Sequence, residues 1–483
     1  MNWWLLKRKL HTVWYLVFAC FGFLLGSLLI NFYKFSVDLL TILSLLSFLI
    51  LIIYLPKRFI YIIPIIVVCG TIIGLSRSLS FHNQLTCADS LTGQRVFVKA
   101  RVKENFSNSD NYFKAESLTI NNNKCLINLF INFHNDNLEG SEGDFIVFQG
   151  VLSNGFGNFK AIINNLSNFR IINKHGDNII LDFKNKFSEN IKRFLPEPHS
   201  SMGLGYLIGQ QTDLPINLAF SLQTVGLTHI IVASGYNLSI IVRLSRRLFE
   251  KISKYLSFFV SIIFIISFII MAGLTPSVFR ASLVSMMSLA AWYYGRRFHP
   301  ISLIIFTMAI TVFINPDFII SDIGWQLSFL AFMGVMVLAP FLGKYLFGEQ
   351  KINTIFQILI ETFSAQIMTL PIILINFGQV SYIAIIANLL ILPLIPVIMI
   401  FVFLLGIMTY FNSVFGIILA VPTKLLIDYV IKVAEALAEL PWASQSISIS
   451  IKHLIIFYLF ITIIIIYLWR VTKYKLRDVN LVE

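Results

Sequence analysis

The polar residues of one apolar stretch are the first candidates for chemistry in this sequence. Residues 226–240 are apolar enough to enter a bilayer, yet they carry a histidine, an asparagine and several hydroxyl groups. On a continuous helix His229, Ala233 and Asn237 share one face, because they follow one another at i and i+4 spacing. Polar groups inside a membrane are costly and usually face a bundle interior or a wet cavity. The stretch therefore predicts a polar pathway, with close helix packing as the alternative.

A second group of polar residues stands at the beginnings of two apolar runs. Thr275 and Pro276 open one run, and Arg280 follows about one helical turn later. Proline suits the first position of a helix, and a helix N-terminus with a nearby arginine binds anions. Asp322 opens the second run, with Gln326 at a matching depth. The pattern predicts an anion site near Arg280, with an arginine that reaches lipid headgroups as the alternative.

Prolines interrupt two further apolar runs that each carry an amide side chain. Gln366 precedes Pro371, and Asn388 precedes Pro393 and Pro396. A proline within a membrane span frees backbone groups, which is tolerated where they line protein or water. Broken helices of this kind commonly build transport sites, and a simple kink fits the pattern equally well.

Motifs for hydrolysis, metal binding and nucleotide binding are missing from the sequence. There is no His-Glu-x-x-His run, the eight histidines are scattered, and no Gly-x-x-x-x-Gly-Lys-Ser/Thr sequence occurs. Ser234, within Ala-Ser-Gly, has no evident partners for a Ser–His–Asp arrangement. We therefore expect no metal, no cofactor and no enzymatic activity.

The composition places these residues in a polytopic membrane protein. Of the 483 residues, 57% are hydrophobic and only 13% are charged, and the mean hydropathy is +0.80. The formal net charge of +13 reflects in part the Lys/Arg excess of cytoplasmic loops. Residues 1–76 predict an N-terminal anchor of three spans with a cytoplasmic N-terminus, which places the next segment outside the cytoplasm.

Residues 77–181 form the one long polar region, and their apolar side chains alternate with polar ones. In the run 95–103 every second residue is apolar, and the residues between them are Arg95, Phe97, Lys99, Arg101 and Lys103. Five such runs separated by turn residues predict a small β-barrel of the OB type. The basic face fits single-strand binding, with a solvated outer face as the alternative.

Cys87 and Cys125 could form a disulfide if the region is extracytoplasmic.

The rest of the chain divides into a linker and a channel-like domain. Residues 182–215 predict an amphipathic helix and a glycine-rich, interfacial or re-entrant segment over 202–211. Residues 216–475 predict most of ten to twelve spans, and residues 476–483 a short cytoplasmic tail. The predicted spans of the domain after 254 cover 256–274, 277–294, 300–314, 323–341, 354–375, 382–411, 414–432 and 452–469. The predicted fold class is a polytopic α-helical membrane protein with an inserted, extracytoplasmic OB-like barrel.

Four blocks of the membrane domain resemble those of the ComEC family, the inner-membrane channels that pass single-stranded DNA into bacteria during natural transformation. In the family's order they are Gly226-Leu-Thr-His-Ile-Ile-Val-Ala-Ser-Gly235, Thr275-Pro-Ser-Val-Phe-Arg-Ala281, Gly324-Trp-Gln-Leu-Ser-Phe-Leu-Ala331, and Asn376-Phe-Gly378 with Ala387-Asn388. Each block is weak alone, and the four together are specific. The polar region resembles the family's OB-like domain with its two cysteines, so the resemblance covers most of residues 1–410.

The resemblance implies a channel in the bacterial inner membrane that translocates single-stranded DNA. Together with the polar pattern it places the DNA pathway at His229, Ser234, Gly235, Asn237, Arg280, Gln326, Gln366 and Asn388. It implies an extracytoplasmic DNA receptor and a cytoplasmic helicase-like ATPase as partners, besides membrane lipids. The chain reads Tyr236-Asn237 where many members have Leu-His, which puts the role of a second histidine in doubt. It is expected to lack the C-terminal metallo-β-lactamase-like domain of many members, so a nuclease would be a separate polypeptide.

Two other function classes remain open from the sequence. A secondary transporter or lipid flippase with an outer accessory domain requires coupling-ion carboxylates in mid-membrane. The candidates Asp317, Asp322 and Glu361 lie near the ends of predicted spans, which weighs against this class. A membrane enzyme acting on lipid-linked substrates would need paired catalytic groups, and the sequence offers none.

Overall fold

A computed structural model describes most of the chain. The described residues are 12–30, 62–85, 89–103, 106, 112–125, 127–133, 138, 140, 143–155, 159, 161–173, 179–209, 214–231, 235–273, 275–296, 299–350, 352–447, 449–474 and 476. The chain divides into two compact units, Met1–Phe183 with Val312–Asp322, and Lys184–Thr311 with Ile323–Glu483. The predicted second span, about 39–55, lies outside the described residues.

Two apolar helices of the first unit pack backbone to backbone. They are α1 (Thr12–Leu29) and α2 (Ile62–Leu85), and each carries a Gly-x-x-x-Gly motif. A methyl group at Gly22 on α1 would overlap the carbonyl oxygen of Val67 on α2, and a methyl group at Gly70 on α2 would overlap the carbonyl oxygen of Ala19 on α1. Small residues permit this approach, and the resulting van der Waals contact is a main source of helix association in lipid.

Five of the six described strands of the first unit close into a barrel. The six strands are β1 (Arg95–Val102), β2 (Tyr112–Ile120), β3 (Asn123–Lys124), β4 (Asn128–Asn132), β5 (Phe145–Asn154) and β6 (Ala161–Asn173). The order around the barrel is β1-β2-β4-β6-β5 and back to β1, and the short β3 extends from β2. Each of these pairings is antiparallel except β4 with β6. This closed barrel confirms the predicted fold class.

The alternation seen in the sequence separates the inside of the barrel from the outside. Every second residue of β1 is buried, and the charged residues between them are exposed. The rings of Phe106 and Phe113 stack in the core with their centroids 4.0 Å apart. Ser117 Oγ, which is buried, donates to the carbonyl of Cys125 at 2.5 Å and accepts from the amide of Ile127 at 3.1 Å. The barrel therefore satisfies its buried hydroxyl without water.

The cysteines fall into two groups. Cys125 is 2% exposed and is disulfide-bonded, whereas Cys20 and Cys69 form no disulfide. Cys87 lies outside the described residues, so its pairing with Cys125 stays a prediction.

Beyond the barrel the described chain is mostly helical. The helices are α3 (Ile179–Phe194), α4 (His199–Ile208), α5 (Ile216–Thr224), α6 (Thr228–Ile231), α7 (Gly235–Phe249), α8 (Lys254–Ala272), α9 (Pro276–Tyr293), α10 (Pro300–Ile314), α11 (Phe318–Ser321), α12 (Ile323–Met333), α13 (Ala339–Phe347), α14 (Thr354–Phe377), α15 (Ala384–Ile391), α16 (Ile395–Phe411), α17 (Ser413–Ala438) and α18 (Ile451–Thr472). A π-helical turn, Gly334–Leu338, joins α12 to α13, and the short strands β7 (Gln379–Ser381) and β8 (Ser444–Ser446) pair antiparallel.

The helices make this chain a multi-pass membrane protein. Six helices among the described residues are long and apolar enough to cross a membrane, and a bent pair of helices is a seventh if the pair forms one span. That pair is α15 and α16, which meet at 49° where the sequence predicted one span over 382–411. The break contains Pro393, which cannot continue the hydrogen-bonding pattern of a helix. The total of ten to twelve spans stays a prediction, because residues 31–61 are not described.

Helices α3 and α4 both pack against α16. Every residue of α4 is buried within the protein, and an interfacial or re-entrant place for residues 202–211 stays a prediction. The small residues of α4 allow close packing, since a methyl group at Gly203 would stand 3.2 Å from Val402 Cγ2. Helix α3 confirms the predicted amphipathic helix. Its buried Phe187 places the ring against Gly406, where a methyl group would overlap it.

We expect Gly70→Val to weaken the contact between α1 and α2. The added side chain meets backbone that cannot move aside, and overpacking of this kind costs about 1–3 kcal/mol. Thermal aggregation of the detergent-solubilised protein should begin at a lower temperature. The control is Val68→Leu, which enlarges a residue of the same helix that is 55% exposed. Equal stability of the two variants would contradict the close approach.

The disulfide prediction can be checked by counting thiols. In the protein denatured without reductant, a maleimide-polymer reagent should add to two cysteines, Cys20 and Cys69. After reduction it should add to four, and peptide mapping should identify a Cys87–Cys125 link in the unreduced sample. Four additions without reductant would exclude the pairing.

Candidate functional site

Arg280 joins three of the blocks that stand out in the sequence. It lies near the start of α9, where the hydroxyl of Thr275 accepts a backbone hydrogen bond at 3.3 Å and caps the helix. Arg280 Nε donates to Ser328 Oγ on α12 at 2.7 Å. The Cζ of the guanidinium lies 5.8 Å from the ring centroid of Phe329 and 5.1 Å from that of Phe332. A hydroxyl and two aromatic rings thus hold the cation in place.

Gly235 opens α7 directly against this guanidinium. A methyl group at Gly235 would stand 2.7 Å from Arg280 Nη2 and 2.9 Å from Ala281 Cβ. A side chain at this position would therefore displace the arginine, and the missing side chain of Gly235 leaves the space that the arginine fills. Ser234 itself lies outside the described residues.

The charge of Arg280 has no counter-ion among the described residues. No carboxylate among the described residues lies within ion-pair distance of it, and the side chain is half-buried. The N-terminus of α7, which begins at Gly235, adds partial positive charge beside the guanidinium. Removing a cation from water is costly unless an anion compensates it, and a planar guanidinium matches phosphate oxygens two at a time. The arrangement is therefore suited to a phosphate.

A second cluster of contacts joins the first of the four blocks, which begins at Gly226, to the segment 376–388 that contains the fourth block. Gly226 has a φ of 73°, and a methyl group there would stand 2.9 Å from Ala384 Cβ and 3.4 Å from Ser381 Cβ. Gln366 on α14 donates from Nε2 to the carbonyl of Ser381 at 3.1 Å. Asn388 lies one turn beyond Ala384 on α15 and is only 7% exposed.

Three buried oxygens of this cluster lack a hydrogen-bond partner among the described residues. They are Gln366 Oε1, Ser381 Oγ and Asn388 Oδ1. Leaving a buried polar atom unpaired costs roughly 1–3 kcal/mol, and most such atoms in proteins are paired. Gln366 and Ser381 are hydrogen-bonded neighbours, and Asn388 lies on the helix that leads into the break between α15 and α16. These residues are therefore the best candidates for lining a stretch that a polar solute or water enters.

The other predicted pathway residues have different surroundings. His229 is exposed on α6, whereas Asn237 is fully buried and donates from Nδ2 to the carbonyl of Tyr206 at 3.0 Å. The two side chains therefore do not share one environment, and Asn237 ties α7 to α4. Gln326 on α12 is half-buried. Residues 232–234, between α6 and α7, are not described.

The side chains that hold Arg280 were not among the predicted site residues. Ser328, Phe329 and Phe332 follow Gln326 closely in the sequence, and all three face the arginine. The signal that could have found them is the run Ser-Phe-x-x-Phe, which puts a hydroxyl and a ring on one face of a helix at i, i+4 spacing. Ser381 was not predicted, because no feature of the neighbouring sequence indicates that its hydroxyl is buried.

The π-helical turn Gly334–Leu338 interrupts the helix that carries Ser328. Helix α12 packs against α14 at this level, and a methyl group at Gly334 would stand 2.5 Å from the carbonyl oxygen of Ser364. Turns of this type occur often at functional sites. Helix α12, which precedes the turn, carries Ser328, and α14 carries Gln366. The packing of α12 and the turn against α14 therefore helps to position both the Arg280 site and the Gln366 cluster.

The basic face predicted on β1 is on the outside of the barrel. All five of its residues are exposed, and they are Arg95, Phe97, Lys99, Arg101 and Lys103. Arg95 Nη2 donates to the neutral Ser167 Oγ at 2.6 Å. Lys103 Nζ donates to Asn128 Oδ1 at 2.7 Å and also pairs with the carboxylate of Glu116 at 3.5 Å. The ion pair offsets one of the charges, and the face keeps the rest of its positive charge.

Comparison with known proteins gives two matches. The family model described as Competence protein matches residues 206–472, which is more than half of the chain. ComE operon protein 3 of Bacillus subtilis (strain 168) is 25% identical over 204 residues, and these cover 41% of this chain and 25% of that protein. The chain thus spans about a quarter of the length of this curated relative. No solved structure matches the chain at a significant level.

We expect Asn388→Cys to react with a charged, water-soluble thiosulfonate, because the unpaired oxygens of its cluster indicate access to water. The background is the protein with Cys20 and Cys69 replaced by alanine, since Cys125 is already bonded. The matched control is Ile391→Cys, on the same helix and fully buried in the apolar core. Mass spectrometry of intact protein gives the labelled fraction. Equal labelling of the two variants would refute a wet stretch at Asn388.

Proposed function

The chain belongs to the competence protein family, and from this premise we propose that it is an inner-membrane channel that translocates single-stranded DNA into the cytoplasm during natural transformation. The observation that carries the proposal is the half-buried guanidinium of Arg280, which has no carboxylate partner among the described residues. A DNA strand presents one phosphate per nucleotide, and arginine binds phosphate through two parallel hydrogen bonds. Each phosphate that reaches Arg280 supplies the missing counter-ion.

The pathway needs polar or wet walls beyond Arg280, since an isolated phosphate in hydrocarbon is prohibitively costly. The unpaired oxygens of Gln366, Ser381 and Asn388 support such a wall, because a passing hydrated strand would satisfy them in turn. The remaining residues that we propose to line the pathway, together with Gly235, are His229, Ser234, Asn237 and Gln326. Neutral hydrogen-bonding groups suit a channel, because they hold each phosphate too weakly to stop its movement.

The barrel is proposed to bind the incoming strand outside the cytoplasm. Its exposed cations Arg95, Lys99, Arg101 and Lys103 follow one strand of the sheet, and a row of positive charge tracks a phosphate backbone. This orientation has the barrel on the outer side and both chain termini in the cytoplasm. This orientation agrees with the Lys/Arg excess of cytoplasmic loops, because the exposed Lys251 and Lys254 follow α7 on the side that the proposal places in the cytoplasm.

Transport in this scheme is driven by other proteins. The sequence has no P-loop, so we propose that a cytoplasmic helicase-like ATPase pulls the strand and that an extracytoplasmic receptor delivers it. In the described part of the chain no three His, Cys, Asp or Glu side chains gather as metal ligands. We accordingly assign removal of the second strand to a separate nuclease.

The break between α15 and α16 favours a second candidate, a secondary transporter or lipid flippase, because broken spans often carry transport sites. Neither α15 nor α16 contains an acidic residue. A carboxylate that the sequence analysis did not consider, Asp428 on α17, lies 2.6 Å from Nε2 of the buried His199. Lys424 and Lys432 share its helix face and are exposed, which is typical of a polar surface rather than of mid-membrane. The channel is therefore the better supported candidate.

We expect Arg280→Ala to abolish natural transformation while leaving the abundance of the protein unchanged. Arg280→Lys keeps the charge without the planar fork and should restore part of the activity, and Gly235→Val should resemble Arg280→Ala because its side chain displaces the guanidinium. The control is Lys452→Ala, which removes an exposed cation of α18.

The measurement is the arrival of fluorescent DNA in the periplasm and in the cytoplasm of a deletion strain complemented with each variant. In the uncomplemented strain DNA should reach the periplasm and stop there. Normal cytoplasmic arrival without the chain would reject the channel and leave the transporter as the remaining candidate. Full activity of Arg280→Ala would reject the role of this arginine alone.

A further inference from the structure

Three aromatic side chains meet on the outside of the barrel. The rings of Tyr112 and Phe130 are stacked, with centroids 4.7 Å apart and planes 20° apart, and the ring of Phe159 meets Phe130 edge-on at 5.4 Å. Along their strands Tyr112 and Phe130 alternate with the fully buried Phe113 and Leu129, so the stacked rings lie on the outer face. Tyr112 is 47% exposed, and the other two rings are half-buried.

This cluster lies beside the basic face of β1. Strand β2 separates β1 from β4, and Lys114 on β2 is directly opposite Phe130 on β4. Lys103, which follows β1, reaches across β2 to Asn128 on β4, with its Nζ 2.7 Å from the amide oxygen and 3.5 Å from Glu116 Oε2. Cations and rings therefore occupy one continuous outer surface of β1, β2 and β4.

The predicted aromatic of the basic face is placed differently. Phe97 is 40% exposed on β1, and it has no ring neighbour among the described residues. Two stacked rings offer a flat, preformed surface whose geometry is already fixed, whereas a single exposed ring must be ordered on binding. An outward aromatic cluster on a polar domain also marks a binding surface, because it leaves apolar area in water.

We propose that Tyr112, Phe130 and Phe159 form a platform on which the bases of single-stranded DNA stack, while the cations of β1 contact its phosphates. The inference rests on the proposed function and assigns the binding surface within it. Stacking uses the flat face that every base has and makes no hydrogen bond to the base edges that differ between bases. The platform therefore accepts DNA of any sequence, as transport of unrelated DNA requires. Asn132, opposite Tyr112, borders the same surface, and its amide donates to Asn164 Oδ1 at 2.9 Å.

The first test is the affinity of the full-length protein in nanodiscs of neutral lipid for a fluorescent oligonucleotide of about 16 thymidines. Tyr112→Ala should weaken binding by about tenfold, as expected for the loss of one stacked base, without changing the salt dependence. Tyr112→Phe should bind normally. Arg101→Ala should instead reduce the slope of log K against log salt by about 0.7, since it removes one phosphate contact. Ile172→Ala, which trims an exposed apolar residue of β6, is the matched control and should have no effect.

The second test locates the bases directly. An oligonucleotide carrying 5-iodouracil cross-links on irradiation to aromatic rings stacked against it, and mass spectrometry should find the link on Tyr112 or Phe130. Unchanged affinity of Tyr112→Ala, or a link confined to Phe97 or to residues outside the barrel, would overturn the platform. That failure is distinct from failure of the channel, which is read from whether DNA enters the cytoplasm without this chain.

Discussion

The cost of holding a guanidinium among apolar helices determines how the centre of the membrane domain is built. Arg280 needs an acceptor, two ring faces and free space, and these come from helices far apart in the sequence: Ser328, Phe329 and Phe332 from α12, and the bare backbone of Gly235 from α7. None of these groups neutralises the charge. The protein therefore fixes the position of the cation without a carboxylate from the described residues. The proposed phosphate pathway requires an arrangement of this kind.

Close backbone approach is the means by which the helices are positioned for this purpose. Gly22 brings α1 onto α2, Gly203 brings α4 onto α16, and Gly334 brings the π-helical turn onto α14. In lipid, helices gain little from burying apolar side chains, so contact of this kind and hydrogen bonds between polar groups carry much of the specificity. The same approach explains why hydroxyl and amide groups such as Ser381 and Asn388 are enclosed beside the broken span instead of facing lipid.

The strands and most helices could be predicted from the sequence because their periodicity reports burial directly. In β1 every exposed residue was foreseen, since each inward position is apolar and each outward one is polar or aromatic. Features that depend on pairing across the fold could not be foreseen. The contact of Phe130 with Phe159 forms next to the parallel pairing of β4 with β6, and the support of Arg280 by Ser328 spans 48 residues of sequence. The burial of every residue of α4 could not be predicted, because glycine and serine occur both in exposed loops and in tightly packed helices.

The parallel pairing of β4 with β6 joins one strand of the barrel to its last strand in sequence. Residues 129–131 lie beside residues 161–163, and β5, which pairs with β1, lies between them in sequence. Until the last strand has been synthesised, β4 keeps an edge of unpaired backbone groups, which is the kind of edge that joins other chains. The nascent chain thus passes through a stage in which the barrel is open and exposed to aggregation. Because pairings between distant residues form slowly, its closure is a late event in the biogenesis of the protein.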